Sequence, residues 1–363
     1  MSKKENLNRM SAVLRTIIFA TAATVLLLSF VSCDKILGGD DISDRNVRVY
    51  LPPSYNTSPS KRYPVVYLLD GDQWNIDNLL NNYIKSGRFD ELIVVEIAST
   101  ENRTSDFLPY EDAFVRNQQA SYTPNARKFA DYIVGDLIPS IDREYRTLAD
   151  RSNRAIIGAS YGGLFALWAG FNYESTFSMV GAMSPSFWVG DYKVFDEIAA
   201  MPKKDVKVWF DTGTLEWDYN LPLADVLVGK GASYGTDVVY YEVKNGKHNV
   251  IDWVARIHCP LIMFKGPPAH HMISFSTELE VIKSTMEVNK YFQRLNPVVL
   301  MNNFLIYSAA QFAAYQVLDP FVGVVNRDGS FEFFTNNDFR VRIVYQDIVD
   351  TVTVKYAEVQ GMK

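Results

Sequence analysis

The chain has 363 residues, of which 48% are hydrophobic and 13% aromatic, and its formal net charge is −6 with a pI near 5.4. This length and composition predict a globular protein with a large core, most simply one large domain and a smaller one. Because the chain is acidic and its basic residues form no run beyond the first residues, nucleic acid is excluded as an expected partner.

The start of the chain has the pattern of a targeting segment over residues 1–33. Its basic residues Lys3, Lys4, Arg9 and Arg15 precede the apolar run 16–31, which is short for a membrane span. Cys33 then follows a small residue and resembles the lipobox cysteine of bacterial lipoproteins, although Phe30 stands where leucine is usual. We therefore expect a lipid anchor at Cys33, which would hold the protein in the cell envelope, at the outer membrane or in the periplasm.

An ordinary signal peptide and a single anchor helix are the alternatives, and both also place the remainder outside the cytoplasm. After processing, Cys259 would be the one cysteine left, which excludes an intramolecular disulfide and a cysteine-based metal site. The acidic, glycine-containing stretch 34–43 is predicted to be a short tether.

A series of apolar stretches predicts the strands of one sheet. They lie at 46–51, 63–69, 92–98, 155–157, 178–183, 206–211 and 237–243. The first stretch alternates and stops at Pro52-Pro53, which is typical of an antiparallel edge strand. Most of the others are continuously apolar, as expected of strands covered on both faces by helices. Strands that alternate with helical stretches predict an α/β fold with a doubly wound, mostly parallel sheet over residues 44–266.

The sequence G-x-S-x-G at Gly158–Gly162 lies between a predicted strand and a predicted helix. Such a turn exposes the serine hydroxyl at the end of the sheet, and the helix N-terminus beside it favours negative charge. Ser160 is therefore a candidate nucleophile, the alternative being a glycine-rich packing turn. The backbone N–H groups of Tyr161 and Asp72 are the candidate oxyanion donors.

A serine nucleophile needs a base and an acid that orients the base. His248 is the candidate base because it alone of the four histidines lies in a polar loop just beyond a predicted strand of the sheet. Glu216 is the preferred acid, with Asp211 and Asp218 as alternatives. No metal or organic cofactor is expected.

Other features surround these candidates. The stretch 99–122 is predicted to be a long substrate-gripping loop, and a helix that starts at Thr123-Pro124 is predicted to bend at Pro139. Trp74, Trp188 and Trp217 each follow a strand end, where they would line an aromatic acyl pocket or shield the edge of the core.

Six segments in order carry a family resemblance, and they lie at 46–55, 68–71, 136–142, 158–164, 184–188 and 246–253. They resemble the esterase D-like family of α/β-hydrolases, which includes enterochelin, feruloyl and acetylxylan esterases and the mycolyltransferases. The resemblance covers roughly residues 44–266. It implies Ser160 as nucleophile, His248 as base and an acid on the turn 213–216, where relatives often have aspartate instead of Glu216.

The resemblance also bears on Arg103, since siderophore esterases of this family hold their substrate with an arginine in the equivalent loop. The alternative is a surface arginine that pairs with Asp106 or Glu111. Residues 267–363 fall outside the resemblance and are predicted to form a small strand-rich module, with strands near 272–282, 321–325, 330–334, 341–345 and 351–359. Packing against the first domain, glycan binding and a spacer role are all open for it.

The sequence thus predicts a serine carboxylic-ester hydrolase that acts outside the cytoplasm on a small-molecule or glycan ester. Feruloyl or acetyl esters of polysaccharide are the preferred substrates, and a siderophore esterase is the alternative. A hydrolase-like surface lipoprotein that binds a ligand without catalysis is the competing class of function.

Overall fold

The computed structural model describes residues 46–216, 220–283 and 291–362. These residues belong to one compact unit of the chain. The predicted targeting segment, Cys33 and the tether lie outside the described residues, as do Trp217 and Asp218. No helix among the described residues is long and apolar enough to cross a membrane.

A central sheet of seven strands organises the described residues, with the order β1-β3-β2-β4-β5-β6-β7. The strands are β1 (Val47–Tyr50), β2 (Val65–Leu69), β3 (Ile93–Ile97), β4 (Arg154–Ala159), β5 (Met179–Met183), β6 (Lys207–Gly213) and β7 (Val238–Val243). β1 pairs antiparallel with β3 at one edge, whereas the pairs from β3 to β7 run parallel. The predicted mostly parallel α/β sheet with an antiparallel edge strand is confirmed.

Helices cover both faces of this sheet. They are α1 (Asp77–Lys85), α2 (Arg103–Phe107), α3 (Ala113–Gln118), α4 (Ala126–Tyr132), α5 (Ile138–Glu144), α6 (Tyr161–Asn172), α7 (Lys193–Ala200), α8 (Pro222–Gly229), α9 (Val250–Arg256) and α10 (His258–Lys265). Alternate residues of β2 enter different hydrophobic clusters, since Val65, Tyr67 and Leu69 pack in one and Val66 and Leu68 in the other. The sheet is therefore buried on both faces, as its continuously apolar strands require.

Two local predictions were wrong. The stretch 99–122 is not a plain loop, because it contains α2 and α3. The helix predicted to start at Thr123-Pro124 starts instead at Ala126, the first residue of α4, with Asn125 as its N-cap. The reason is that the backbone N–H groups of Thr123 and Asn125 both donate to Ser105. Pro139 occupies the first turn of α5, and a π-helical turn over 133–137 joins α4 to α5 directly before it, while the bend at Pro139 stays a prediction.

The C-terminal part is rich in strands, as predicted. It contains β8 (Met272–Lys283), β9 (Tyr291–Met301), β10 (Ile306–Ser308), β11 (Ala314–Val317), β12 (Gly323–Val325), β13 (Phe331–Phe333), β14 (Phe339–Tyr345), β15 (Ile348–Val354) and the helix α11 (Tyr356–Gly361). The predicted last strand, 351–359, was half wrong, because α11 takes its second half.

This part packs on β7, the edge strand of the central sheet. The backbone N–H of Glu242 donates to Ser308 Oγ at 2.9 Å, and the buried carboxylate of Glu242 pairs with Arg294 of β9. The C-terminal strands thus contact the central sheet directly, and the boundary at residues 266/267 stays a prediction.

Candidate active site

Ser160 lies at the sharp turn between β4 and α6. Its backbone has φ 59° and ψ −123°, a conformation that residues other than glycine rarely adopt and that often marks functional sites. Its own N–H is held by the carbonyl of Met183 at 2.9 Å, which fixes the turn against β5. The predicted strand, turn and helix are therefore present, with the serine at the strained position.

Close packing requires glycine at Gly158, before Ser160, and at Gly163, directly after the motif. A Cβ atom at Gly158 would lie 2.5 Å from the carbonyl oxygen of Gly162, and one at Gly163 would lie 2.9 Å from Cβ of Pro185. Side chains at these positions would push α6 away from β4 and β5. The approach of the helix to the sheet thus explains the first glycine of the motif, whereas a Cβ at its second glycine, Gly162, would meet no atom closer than 3.5 Å.

His248 joins Ser160 and Glu216 across three separate loops. Its Nε2 lies 2.9 Å from Ser160 Oγ, and its Nδ1 lies 3.1 Å from Glu216 Oε2. An ionised carboxylate only accepts hydrogen bonds, so Nδ1 carries the proton and Nε2 is free to accept the serine hydroxyl. The structure therefore brings together the three side chains predicted from the sequence, with His248 hydrogen-bonded to Ser160 on one side and to Glu216 on the other.

The carboxylate of Glu216 is held on both of its oxygens. Oε1 accepts from the hydroxyl of Ser184 at 2.7 Å and from the backbone N–H of Gly213 at 2.9 Å, while Oε2 faces the histidine. The side chain is only 1% exposed. Because these bonds fix the position of the carboxylate, it can orient the imidazole of His248 without moving.

Asp211, an alternative acid from sequence, is engaged elsewhere. It is fully buried, accepts from the backbone N–H of Ser184 at 2.7 Å and pairs with Arg256 Nε at 2.5 Å. Burial raises the pKa of Asp211, although the charge of Arg256 opposes the effect. Asp211 therefore supports the site from beneath, and Asp218 lies outside the described residues.

Ser184 and Arg256 are site residues that the sequence reasoning missed. The Ser184 hydroxyl accepts from Trp253 Nε1 at 2.9 Å and from Arg256 Nη2 at 2.6 Å. Trp253 and Arg256 are three residues apart on α9 and so share one face of this helix. This spacing is the feature of the sequence from which their joint contact with Ser184 could have been predicted. The Ser184 segment and Trp253 entered the family resemblance, but their spacing alone assigned them no role.

A cavity of about 440 Å³ opens beside Ser160 and His248. Trp74 and Trp253 line it, with ring centroids 6.3 Å apart. Trp74 is nevertheless buried, and its indole N–H donates to the Leu69 carbonyl at 2.9 Å. Trp74 thus belongs both to the buried core and to the lining of this cavity, and its role in binding an acyl group stays a prediction.

Arg103 also lines this cavity, but it has a partner that the sequence did not indicate. Its Nε and Nη2 donate to the two carboxylate oxygens of Asp70 at 2.6 and 2.7 Å. The guanidinium also lies 5.7 Å from the ring centroid of Tyr161. Arg103 thus lies in the lining of the cavity beside Ser160, as the resemblance implied, and is held there by a bidentate pair with Asp70.

The remaining predicted residues, Tyr161, Trp188 and Asp72, are not among the residues that line this cavity, so a place for Trp188 in an acyl pocket there is not found. Tyr161 is the first residue of α6, and its ring centroid lies 6.2 Å from that of Trp188. Asp72 lies in a 3-10 turn directly after β2, and its carboxylate accepts from the backbone N–H of Ser99 at 3.1 Å. The roles of the Tyr161 and Asp72 N–H groups as oxyanion donors stay predictions.

Comparison with known families agrees with this arrangement. A family model described as "Putative esterase" matches residues 42–259, which is more than half of the chain. The chain belongs to this esterase family. The protein is thus a hydrolytic esterase, and the resemblance seen in the sequence is confirmed.

Two curated relatives of the esterase are similar in sequence. The uncharacterized protein YbbA of Bacillus subtilis is 29% identical over 175 residues, which are 48% of this chain and 69% of that protein. An endo-1,4-beta-xylanase/feruloyl esterase of Xylanibacter ruminicola is 30% identical over 132 residues, which are 33% of this chain and 16% of that protein.

A solved ferulic acid esterase is similar in structure. It has a TM-score of 0.51 and 20% identity, and the match covers 64% of the esterase described here and 96% of the solved chain. At this identity the likeness concerns the fold, and it agrees with the predicted α/β-hydrolase class.

Proposed function

We propose that this esterase hydrolyses feruloyl or acetyl esters of polysaccharide outside the cytoplasm, with Ser160 as nucleophile, His248 as base and Glu216 as acid. The observation that carries the proposal is the continuous hydrogen-bond line from Ser160 Oγ through both nitrogens of His248 to Glu216. A serine, an imidazole and a buried carboxylate in this order are what acyl transfer to a hydroxyl requires.

In the first step Ser160 Oγ attacks the ester carbonyl carbon while its proton moves to Nε2 of His248. The imidazolium that forms keeps its other proton on Nδ1, where the carboxylate of Glu216 stabilises the new positive charge. The tetrahedral intermediate collapses when the carbon–oxygen bond to the alcohol breaks and Nε2 returns its proton to that alcohol. An acyl-serine and a free alcohol result.

In the second step a water molecule takes the place of the alcohol. Nε2 of His248 removes a proton from this water as its oxygen attacks the acyl carbon. The bond between the acyl carbon and Ser160 Oγ then breaks, Nε2 returns the proton to Oγ, and the acyl group leaves as a carboxylic acid. In both steps the negative oxygen would be held by the N–H groups of Tyr161 and Asp72. The N-terminal end of α6 would favour the same charge.

The choice of polysaccharide esters has two supports. The name of a relative 30% identical to the esterase contains both endo-1,4-beta-xylanase and feruloyl esterase. The chain also carries a strand-rich C-terminal part packed on the hydrolase sheet, which suits work on an extracellular glycan. The cavity of about 440 Å³ beside Ser160 has room for an acyl group of either kind.

Hydrolysis of a siderophore ester is the alternative, and Arg103 is the observation that favours it. Its guanidinium lines the cavity next to the nucleophile, where a catecholate oxygen would need a positive charge. Its bidentate pairing with Asp70 already offsets much of that charge, so we rank this substrate second. If the substrate is a polysaccharide ester, the main role of Arg103 would be to hold Asp70 in the turn that follows β2.

The proposed place of action rests on the first residues of the chain. We propose that Cys33 receives a lipid and that the esterase is held in the cell envelope. Incorporation of labelled palmitate that is lost in Cys33→Ala would support this anchor. Retention of the label in Cys33→Ala would contradict it.

The activity is tested with a panel of methyl ferulate, an acetylated xylo-oligosaccharide and a cyclic catecholate ester. We expect release of ferulate or acetate by the native protein and no measurable release by Ser160→Ala, with the same melting temperature for both. Faster hydrolysis of the catecholate ester would favour the siderophore alternative. No turnover of any ester would contradict the proposed function.

A further inference from the structure

A row of three aromatic rings leads from the nucleophile towards solvent. Tyr161 follows Ser160 directly, its ring centroid lies 6.2 Å from that of Trp188, and the Trp188 ring lies 5.5 Å from that of Phe114. The last pair is nearly perpendicular, with an angle of 86° between the ring planes. We call Tyr161, Trp188 and Phe114 the aromatic shelf.

The outer end of the shelf is exposed to water. Phe114 is 51% exposed, whereas Trp188 and Tyr161 are partly buried. A single exposed aromatic residue is ordinary on a protein surface, but here it continues a row of rings that begins beside the reactive serine. This continuity points to a binding surface for part of the substrate.

The shelf is held rigidly by one carboxylate. Asp112 caps α3 by accepting from the backbone N–H groups of Phe114 and Val115 at 2.9 and 3.0 Å. Its other oxygen accepts from the N–H of Gly190 at 2.9 Å, in the segment that carries Trp188. Asp112 therefore fixes two separate segments in one arrangement, and such preorganisation lowers the entropic cost of binding.

An ester has an acyl half and an alcohol half, and Ser160 borders two different places for them. The cavity beside Ser160 and His248 is of a size for the acyl group, whereas the shelf leads out to solvent. When the alcohol belongs to a polymer, it must leave the site through an open face. The shelf is such a face.

We propose that the aromatic shelf binds sugar rings of the alcohol half of the ester, an inference that rests on the proposed function. The C–H groups of a pyranose form an apolar face that packs on aromatic rings. The exposed side chains of Asn117 and Gln118 lie three and four positions after Phe114 on α3 and so share its side of the helix. Their amides would bind sugar hydroxyls.

The test compares two ferulate esters that share an acyl group, a feruloylated arabinoxylan trisaccharide and methyl ferulate. The measured quantity is the ratio of kcat/KM for the trisaccharide ester to kcat/KM for the methyl ester. We expect Phe114→Ala and Trp188→Ala each to lower this ratio about tenfold, and Phe114→Tyr to keep it near the native value. Phe321→Ala removes a 90% exposed ring in the C-terminal part and is the matched control, which should keep the native ratio.

An unchanged ratio in both Phe114→Ala and Trp188→Ala would overturn the proposal. This includes the case in which both esters lose activity equally, because the shelf would then bind the acyl half. If the native protein hydrolyses neither of these esters nor the acetylated xylo-oligosaccharide, the proposed function fails, and the shelf is then tested by binding alone. Calorimetry with the unesterified trisaccharide and Ser160→Ala should show binding that weakens about tenfold on addition of Phe114→Ala, and no difference would overturn the shelf.

Discussion

The hydroxyl of Ser184 donates to Glu216 Oε1 across a distance of 2.7 Å. The same hydroxyl oxygen accepts from Trp253 and from Arg256, so its one proton points to the carboxylate. Ser184 has φ 39°, a strained backbone that places the hydroxyl between these groups. The acid of the proposed triad is thus positioned by a serine that does not face the substrate.

We predict that Ser184→Ala lowers kcat by about tenfold, because the carboxylate keeps Gly213 N–H but loses a fixed donor, and a hydrogen bond to a charged group contributes about 1.5–3 kcal/mol. KM should change little, since Ser184 does not line the cavity. The check is steady-state kinetics on methyl ferulate, which separates an effect on kcat from an effect on KM.

Ser178→Ala is the matched control. Ser178 precedes β5 as Ser184 follows it, and its hydroxyl bonds the Arg154 carbonyl far from the histidine. An equal effect of both substitutions on kcat would show that Ser184 acts through general stability and not through Glu216.

Glu216 and Asp211 should separate in their effects on rate and stability. Glu216→Gln is expected to lower kcat by roughly 100- to 10,000-fold, because a neutral amide no longer stabilises the imidazolium. Asp211→Asn should mainly destabilise the fold, by about 3 kcal/mol, because it leaves the buried charge of Arg256 poorly paired. Measurements of kcat and of the free energy of unfolding on both variants test this prediction. A larger loss of kcat in Asp211→Asn than in Glu216→Gln would show that Asp211 is the acid.

The sequence predicted the central sheet well because its strands are buried on both faces, which leaves a continuous apolar signal in Val65–Leu69 and Ile93–Ile97. It also placed Ser160, His248 and Glu216, since the turn motif and the order of strands limit where each can lie. The start of α4 was misplaced because tertiary bonds from Thr123 and Asn125 to Ser105 outweigh a local capping pattern. Such bonds leave no trace in the periodicity.

The support beneath the site could not be predicted for the same reason. Asp211, Ser184 and Arg256 come from a strand, a loop and a helix, and only the fold brings them into one network. Arg103 illustrates the point, because local sequence suggested Asp106 or Glu111 while the structure pairs it with the distant Asp70. Long-range polar pairs are set by topology.

Glu96 should make stability depend on pH. Burial raises the pKa of Glu96 to about 7 from an ordinary value of 4.5, although Arg48 beside it opposes the effect. A carboxyl whose pKa is higher in the folded state binds more protons when folded. Its contribution to stability is therefore complete below about pH 4.5 and is lost as the pH rises through about 7.

Urea unfolding at pH 5, 6, 7 and 8 checks this prediction against Glu96→Gln. The native free energy of unfolding should fall more steeply with pH than that of the variant, by at most about 1.4 kcal/mol per pH unit. Parallel pH dependences in the two proteins would show that Glu96 is ionised throughout this range.

The buried ion cluster between β7 and β9 should hold the C-terminal strands on the hydrolase sheet. Arg294, only 4% exposed, pairs with Glu242 and lies 3.6 Å from Glu280, whose pKa burial raises to about 8. Arg294→Met leaves these carboxyl groups buried without their cation, so we expect a loss of about 3–5 kcal/mol in the free energy of unfolding. Arg340→Met is the matched control, because Arg340 is 57% exposed in its pair with Asp319 and its loss should barely change the melting temperature. Differential scanning calorimetry distinguishes the two, and similar melting temperatures for Arg294→Met and Arg340→Met would mean that the buried cluster does not stabilise the contact with β7.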